Sequence, residues 1–331
     1  MKKYLNLFVI TIVLSFLSSN SAFSQQNIEN KINNSKFNDS LILIDLNKFY
    51  TNKTINLISN GEGYAATDHI IMAFAVKGDS LIIANNDNKK FLLLNLSTLS
   101  LTELSSYPQF INYPVCRMKL VRDSIICSDD DNVFLFDLRT KKSIFMDKMV
   151  FCRSDSYYIW VQNESDFLYR KKFPNVPIFN KYLSGSGGYD FVENLDSRKG
   201  IFLFANNYSD GVTLYESIDD SVVLKNKIEI PNNDMSVYED VEILFSSESE
   251  IKFILKTYYN TKNDDILVSY DMNKNQVKNV LSLSSYFLED AFVVFPGILP
   301  AGCSYVYQKG IIYRLRTTLR GVCIEKWKVD W

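Results

Sequence analysis

One strand–turn–strand unit is written twice in succession, nearly in register. Asp79-Ser80-Leu81-Ile82-Ile83-Ala84, an Asn/Asp turn at 85–88 and Phe91-Leu92-Leu93-Leu94-Asn95-Leu96 form the first copy. The second follows about 44 residues later, as Asp123-Ser124-Ile125-Ile126-Cys127, the turn Ser128-Asp129-Asp130-Asp131-Asn132 and Val133-Phe134-Leu135-Phe136-Asp137-Leu138. Looser copies of its first strand start at Asp155, Lys199, Glu250 and Lys309, making six copies about 32 to 60 residues apart. Each is preceded by another apolar run, at 70–76, 114–121, 149–152, 189–195, 237–245 and 304–307. After the N-terminal segment no window keeps a 3.6-residue apolar period over three turns, so the chain reads as strands throughout.

A repeat of this length cannot bury both sheet faces by itself, and closing a ring of repeats leaves no open end. The pattern therefore predicts an all-β chain: a six-bladed β-propeller of four-stranded antiparallel blades, each beginning with an inner strand at the axis. Leu41-Ile42-Leu43-Ile44-Asp45-Leu46 has no inner strand of its own. It is expected to be the outer strand of the last blade, whose third strand is Gly321-Val322-Cys323-Ile324-Glu325-Lys326-Trp327, so that N- and C-terminal strands close the ring. The run Thr54-Ile55-Asn56-Leu57-Ile58 is one strand too many, and a seven-bladed ring is the alternative.

The first 24 residues carry Lys2 and Lys3, an apolar run at 5–17, then small and polar residues to Ser24. They read as a secretory signal peptide, the apolar run being shorter than the roughly 18–20 residues of a spanning helix. Residues 25–38 form a polar segment and 39–331 the propeller. The expected location is periplasmic or secreted, with no membrane span in the mature protein. Hydrophobic residues at 47% and charged residues at 22% suit a large buried core. Lys and Arg number 36 against 38 Asp and Glu, which provides no basic field for a phosphate backbone, so nucleic acid is excluded as a partner. Of the five cysteines, Cys116 and Cys127 could face each other across a hairpin, but the spacing resembles neither a disulfide framework nor a zinc site, and buried thiols are expected.

Leu43-Ile44-Asp45-Leu46, Ile55-Asn56-Leu57-Ile58-Ser59 and Asp79-Ser80-Leu81-Ile82-Ile83-Ala84 together resemble the start of a six-bladed propeller family common among exported Bacteroidetes proteins, itself similar to NHL and TolB-like propellers. The resemblance implies a fold and an exported location without implying one activity. The Gly-His and Trp-Asp pairs of WD40 repeats, the double glycine of kelch repeats and the Asp-boxes of sialidases are missing from the sequence.

Chemistry is sparsely marked. His69 is the single histidine, so no mechanism or metal site built on two histidines exists in this chain. The segments feeding three inner strands combine tyrosines with acids: Tyr64 with Asp68 and His69, Tyr189-Asp190 with Glu193, and Tyr238-Glu239-Asp240. In a propeller they would gather at one mouth of the central channel, where Tyr faces suit sugar rings or peptide side chains and carboxylates suit a basic partner. Taken singly, each acid could simply solvate a loop end and each Tyr pack a blade. Asp129-Asp130-Asp131 could suggest calcium, but its counterpart Asn85-Asn86-Asp87 favours hairpin-turn chemistry, and no cofactor is expected. Ser184-Gly185-Ser186-Gly187-Gly188 lacks the context of a nucleophile or phosphate loop and reads as a link between the third and fourth blades.

The function expected is a non-catalytic propeller that binds a protein or glycan of the cell envelope through this mouth. The alternative is an enzyme acting on a carbohydrate or lactone with channel carboxylates as acid and base, for which Asp68, Asp190, Glu239 and Asp240 are the candidates.

Overall fold

The computed structural model describes residues 42–45, 48–49, 58–59, 64–66, 72–129, 132–148, 156–162, 167–174, 187–194, 199–206, 211–218, 221–230, 238–257, 265–283, 293–294, 305–318 and 321–329. Strands dominate them. Four consecutive antiparallel strands make the first blade (Met72–Lys77, Ser80–Asn85, Lys90–Asn95, Leu101–Ser106) and the second (Arg117–Val121, Ser124–Ser128, Asn132–Asp137, Lys142–Lys148). The fourth blade (Gly187–Asn194, Lys199–Asn206, Gly211–Ile218, Ser221–Glu229) and the fifth (Tyr238–Ser246, Glu250–Thr257, Asp265–Asp271, Gln276–Leu283) repeat the plan. The sixth joins Tyr305–Gln308, Ile311–Thr318 and Gly321–Lys328 to the N-terminal strand Ile42–Ile44, with Ile42 opposite Ile324 and Ile44 opposite Val322. Closure by both ends of the chain is thus the arrangement the sequence predicts.

Burial shows why these strands read as continuous apolar runs. Successive residues of a strand point to opposite faces, and here both faces are covered. Leu81 and Ile83 enter a core shared with Tyr313, Leu315, Val322 and Ile324 of the sixth blade. Their neighbours Ile82 and Ala84 enter one shared with Ile125, Cys127, Phe134 and Phe136 of the second. In the fifth blade Phe253 and Leu255 face a core containing Val192, Leu203 and Leu214 of the fourth, while Ile254 faces Tyr305, Ile312 and Trp327 of the sixth. Full burial of one such side chain is worth roughly 1.5–3 kcal/mol, and the period-2 split gives the first and fifth blades a packed neighbour on each side.

Turn chemistry repeats with the strands. Asn95, Asp137 and Asp271 each use a side-chain oxygen to accept the backbone N–H groups two and three residues on, at 2.8–3.0 Å. Four residues after each stands a left-handed residue: Leu99 at φ 55°, Lys141 at φ 57° and Asn275 at φ 51°. The residue following each Asx, namely Leu96, Leu138 or Met272, donates its N–H back to Asp79, Asp123 or Ser249 in the turn between the first two strands, at 2.8–3.0 Å. These bonds satisfy turn backbone that no ladder reaches.

The third blade departs from the plan. Ser156–Gln162 and Phe167–Pro174 form an antiparallel hairpin, and Ser156–Gln162 also pairs in parallel with the fourth blade's first strand, Trp160 opposite Val192. Strand Phe167–Pro174 packs against Arg117–Val121, so the hairpin bridges the second and fourth blades. Its inner run at 149–152 lies outside the described residues. Of the surplus N-terminal run at 54–58, only Ile58 is among the described residues. Ile58–Ser59 pairs with Tyr64–Ala66, which pairs in parallel with Val293–Val294, giving a small sheet built from the segments leading into the first and sixth blades.

Candidate functional site

The first strands of neighbouring blades touch in sequence from Met72–Lys77 to Arg117–Val121, through the third-blade hairpin to Gly187–Asn194, then to Tyr238–Ser246, Tyr305–Gln308 and back to Met72–Lys77. Repetition about one axis makes these strands run the same way, so their starting ends share one mouth of the ring. Tyr189 and Asp190 stand near the start of the fourth blade's first strand, opposite Phe204 and Leu203. Tyr238, Glu239 and Asp240 stand at the start of the fifth's. The backbone therefore brings these five to one end of two adjacent strands. All lie within strands, whereas the sequence placed them in feeding loops. Glu193, opposite Gly200, is three residues beyond Asp190, roughly 10 Å along the strand at its other end. Tyr64 belongs to the small sheet, opposite Ser59. Asp68 and His69 lie outside the described residues.

Tyr238 is 3% exposed and belongs to the core between the blades. Ladder partners jump from Tyr238–Thr257 to Asp240–Lys256, so Glu239 is the extra residue of a β-bulge, a device that re-aims side chains at sheet ends. Asp240 and Glu242, two residues apart and hence on one face, share a cation: Lys256 Nζ lies 3.3 Å from Asp240 Oδ2 and 2.9 Å from Glu242 Oε2. Glu242 also accepts the Tyr305 N–H at 3.4 Å, tying the fifth blade to the sixth.

Burial works to raise the Glu242 carboxyl, but Lys256, Lys119 and Arg117 outweigh it and hold the group below the ordinary carboxylate range. Burial likewise opposes the charge of Lys256, and Glu242 with Asp240 overcomes it, so the ammonium stays protonated. Arg117 and Lys119 belong to the second blade, three places from the fifth in a ring of six, so this electrostatic contact crosses the axis. Glu242, Lys256, Arg117 and Lys119 escape the sequence reading, although Asp240-x-Glu242 has the spacing of one sheet face.

The acidic turn resolves as hairpin chemistry. Asp129 is fully buried and accepts the Asn132 backbone N–H at 2.5 Å and its side-chain amide at 3.1 Å, as Asn85 accepts the N–H groups of Asp87 and Asn88. Asp130 and Asp131 lie outside the described residues. Among the described residues no group of three or more His, Cys, Asp or Glu side chains is placed to hold a metal ion. Among the described residues Cys116, Cys127 and Cys323 form no disulfide with one another. Gly187 and Gly188 open a strand, opposite Asn206 and Ala205, so the Ser/Gly link ends sooner than its composition suggests. No helix among the described residues is long and apolar enough to cross a membrane, which leaves β-barrels unaddressed.

No protein-family model matches the chain, and no curated protein does. Among solved structures it is similar to the N-terminal domain of Nup159, with 13% identity, 88% of this chain and 94% of that one covered, and a TM-score of 0.42. It is also similar to an oligogalacturonate lyase in complex with manganese (10%, 89% and 98%, 0.45) and to YCF48 bound to D1 peptide (10%, 89% and 97%, 0.41). Likeness at this level carries no inference about ligand or reaction. The propeller assignment rests on the blade topology and the alternating burial described above.

Proposed function

We propose that this chain is an exported, non-catalytic binding propeller that engages a protein or glycan of the cell envelope at the mouth where the fourth and fifth blades begin. The observation that carries the reading is the pairing of Asp240 and Glu242 with Lys256. A glycosidase needs a carboxyl held protonated near neutral pH beside an ionised one. Glu242 is pushed below the ordinary range and so does not supply that acid. A mouth of compensated charge suits recognition of polar or basic surfaces.

The test is crosslinking of the purified chain in envelope extract, beside a variant carrying Tyr189→Ala, Asp190→Asn and Glu239→Gln. A partner captured by the parent and lost in the variant, with unchanged far-UV circular dichroism, supports the reading. Turnover of a glycosidic or lactone substrate by the parent, abolished in the variant, overturns it in favour of the enzyme.

A further inference from the structure

A buried arginine brings five N–H donors into the core, and each one left without an acceptor is costly. Arg314 is 1% exposed. Its Nε donates to Glu325 Oε2 at 2.7 Å, and its Nη1 donates to Tyr305 Oη at 2.5 Å and to Asp265 Oδ2 at 3.2 Å. Nη2, with two hydrogens of its own, is the buried side-chain atom among the described residues that has no hydrogen-bond partner. Turning the guanidinium to find one would break the bond from Nε within the sixth blade or the bond from Nη1 to the fifth. The rings of Tyr305 and Trp327, at 5.3 and 5.0 Å, offer π faces and an indole donor rather than a lone pair in the guanidinium plane.

The chemistry around Nη2 limits what can satisfy it. A metal ion would face N–H hydrogens, which repel it. An anion would stand beside Asp265 and Glu325. Arg314, with Arg316 acting on Tyr305 from the same strand, brings two cations to those two carboxylates, which leaves no positive charge over for an anion. Burial pushes the Tyr305 phenol up, so it stays neutral and does not alter that balance. Space is limited too, since Tyr305, Glu325 and Trp327 are all buried beside Arg314. A small neutral molecule with lone pairs remains. We propose that Arg314 Nη2 binds a buried water, which accepts from the guanidinium and returns a hydrogen to a neighbouring carboxylate, as the fourth partner of Arg314 at the seam between the fifth and sixth blades. Internal waters characteristically serve buried polar groups in this way, with about three bonds each, and a carboxylate has about four lone-pair sites with which to accept one.

Two measurements on the full chain test this. A high-resolution crystal structure should show water density within about 3.2 Å of Nη2 and of a carboxylate oxygen, and a crystal soaked in sodium bromide should show no anomalous peak there. In solution, oxygen-17 relaxation dispersion counts the waters held long enough to tumble with the protein. The triple substitution Arg314→Met, Glu325→Met and Asp265→Leu should lower that count by one, and Lys77→Met, in an exposed pair elsewhere on the ring, should leave it unchanged. Nη2 bonded directly to a protein oxygen would overturn the proposal, as would a count that the triple substitution does not lower. A bromide peak at Nη2 would overturn it in favour of an anion. If the triple variant does not fold, the density at Nη2 and the bromide soak of the parent decide the matter.

Discussion

The seam between the first and second blades and the seam between the fifth and sixth are built from different physics. At the first, Phe91 stacks on Phe136 at 4.4 Å and 16°, with Tyr107 at 4.8 Å and Phe134 at 6.3 Å. A buried amide, Asn86, accompanies them. Asn86 donates to Val115 O at 3.1 Å and accepts from Val115 N and Tyr107 Oη at 2.8 Å. At the second seam Arg314, 1% exposed, donates from Nε to Glu325 at 2.7 Å and from Nη1 to Tyr305 Oη at 2.5 Å and Asp265 at 3.2 Å. Tyr305 Oη in turn donates to Asp265. The guanidinium lies over the Tyr305 ring at 5.3 Å and the Trp327 ring at 5.0 Å. Apolar stacking accepts many arrangements, whereas a fork of directional bonds accepts one. The first two blades are joined by a short connection; the sixth must be assembled from both ends of the chain. The fork's partners lie 9, 11 and 49 residues from Arg314, so it ties the sixth blade's own strands to one another and to the fifth, while the chain ends meet in an apolar core.

Truncating the fork is the largest expected loss. Arg314→Ala leaves Glu325 and Asp265 buried without their cation and should destabilise by about 3–5 kcal/mol, read as a fall in the urea midpoint at unchanged m-value. Arg314→Met with Glu325→Met and Asp265→Leu, which removes charge from both sides, should recover most of that stability. If it does not, the network contributes net energy as well as specificity. At the other seam, Asn86→Ala strips the Val115 N–H of its acceptor and should cost about 2 kcal/mol, in the same assay. A larger loss there than at Arg314 would reverse the comparison.

Much of this architecture was legible because covering both faces of a strand forces continuous apolar runs. Leu81-Ile82-Ile83-Ala84 alternates between two cores and so is apolar at every position. The unattached run at Ile42–Ile44 announced ring closure for the same reason. Arg314 was illegible. Tyr313-Arg314-Leu315-Arg316 looks like a strand with two outward cations, and only the blade-to-blade packing reveals that Arg314 shares the buried side of Ile312. Asp240 was legible, but its pairing with Lys256 was not, because the register that sets it passes through the Glu239 bulge. The parallel join of the third blade also leaves no local mark, since parallel pairing depends on which strand comes alongside.

Acid should reach the fifth–sixth seam through Glu242. Its carboxyl is depressed in the folded chain against burial, by Lys256, Lys119 and Arg117. Its stabilisation is therefore complete above the unfolded value of about 4.3 and is lost as pH falls through the lower folded value. The urea midpoint of Glu242→Gln should lie below that of the parent by a constant margin from about pH 8 to pH 5, and the margin should shrink in more acid solution. A margin that stays constant in acid would mean that Glu242 is held by its bond to Tyr305 rather than by charge.

The smallest effect belongs to the Lys77–Asp123 pair, which spans the first and second blades at 2.8 Å with both side chains nearly half exposed. A hydrogen bond from Lys77, then its charge, holds the Asp123 carboxyl below its ordinary range. Lys77→Met should move the Asp123 titration upward by NMR while leaving the urea midpoint in physiological salt where it was, because solvent and counterions screen an exposed pair in both states. A clear fall in the midpoint would show that charge contributes to this seam as well, and the division between an apolar first–second seam and a polar fifth–sixth one would narrow. An unchanged midpoint would leave the Phe91 stack and Asn86 as what holds the first two blades together.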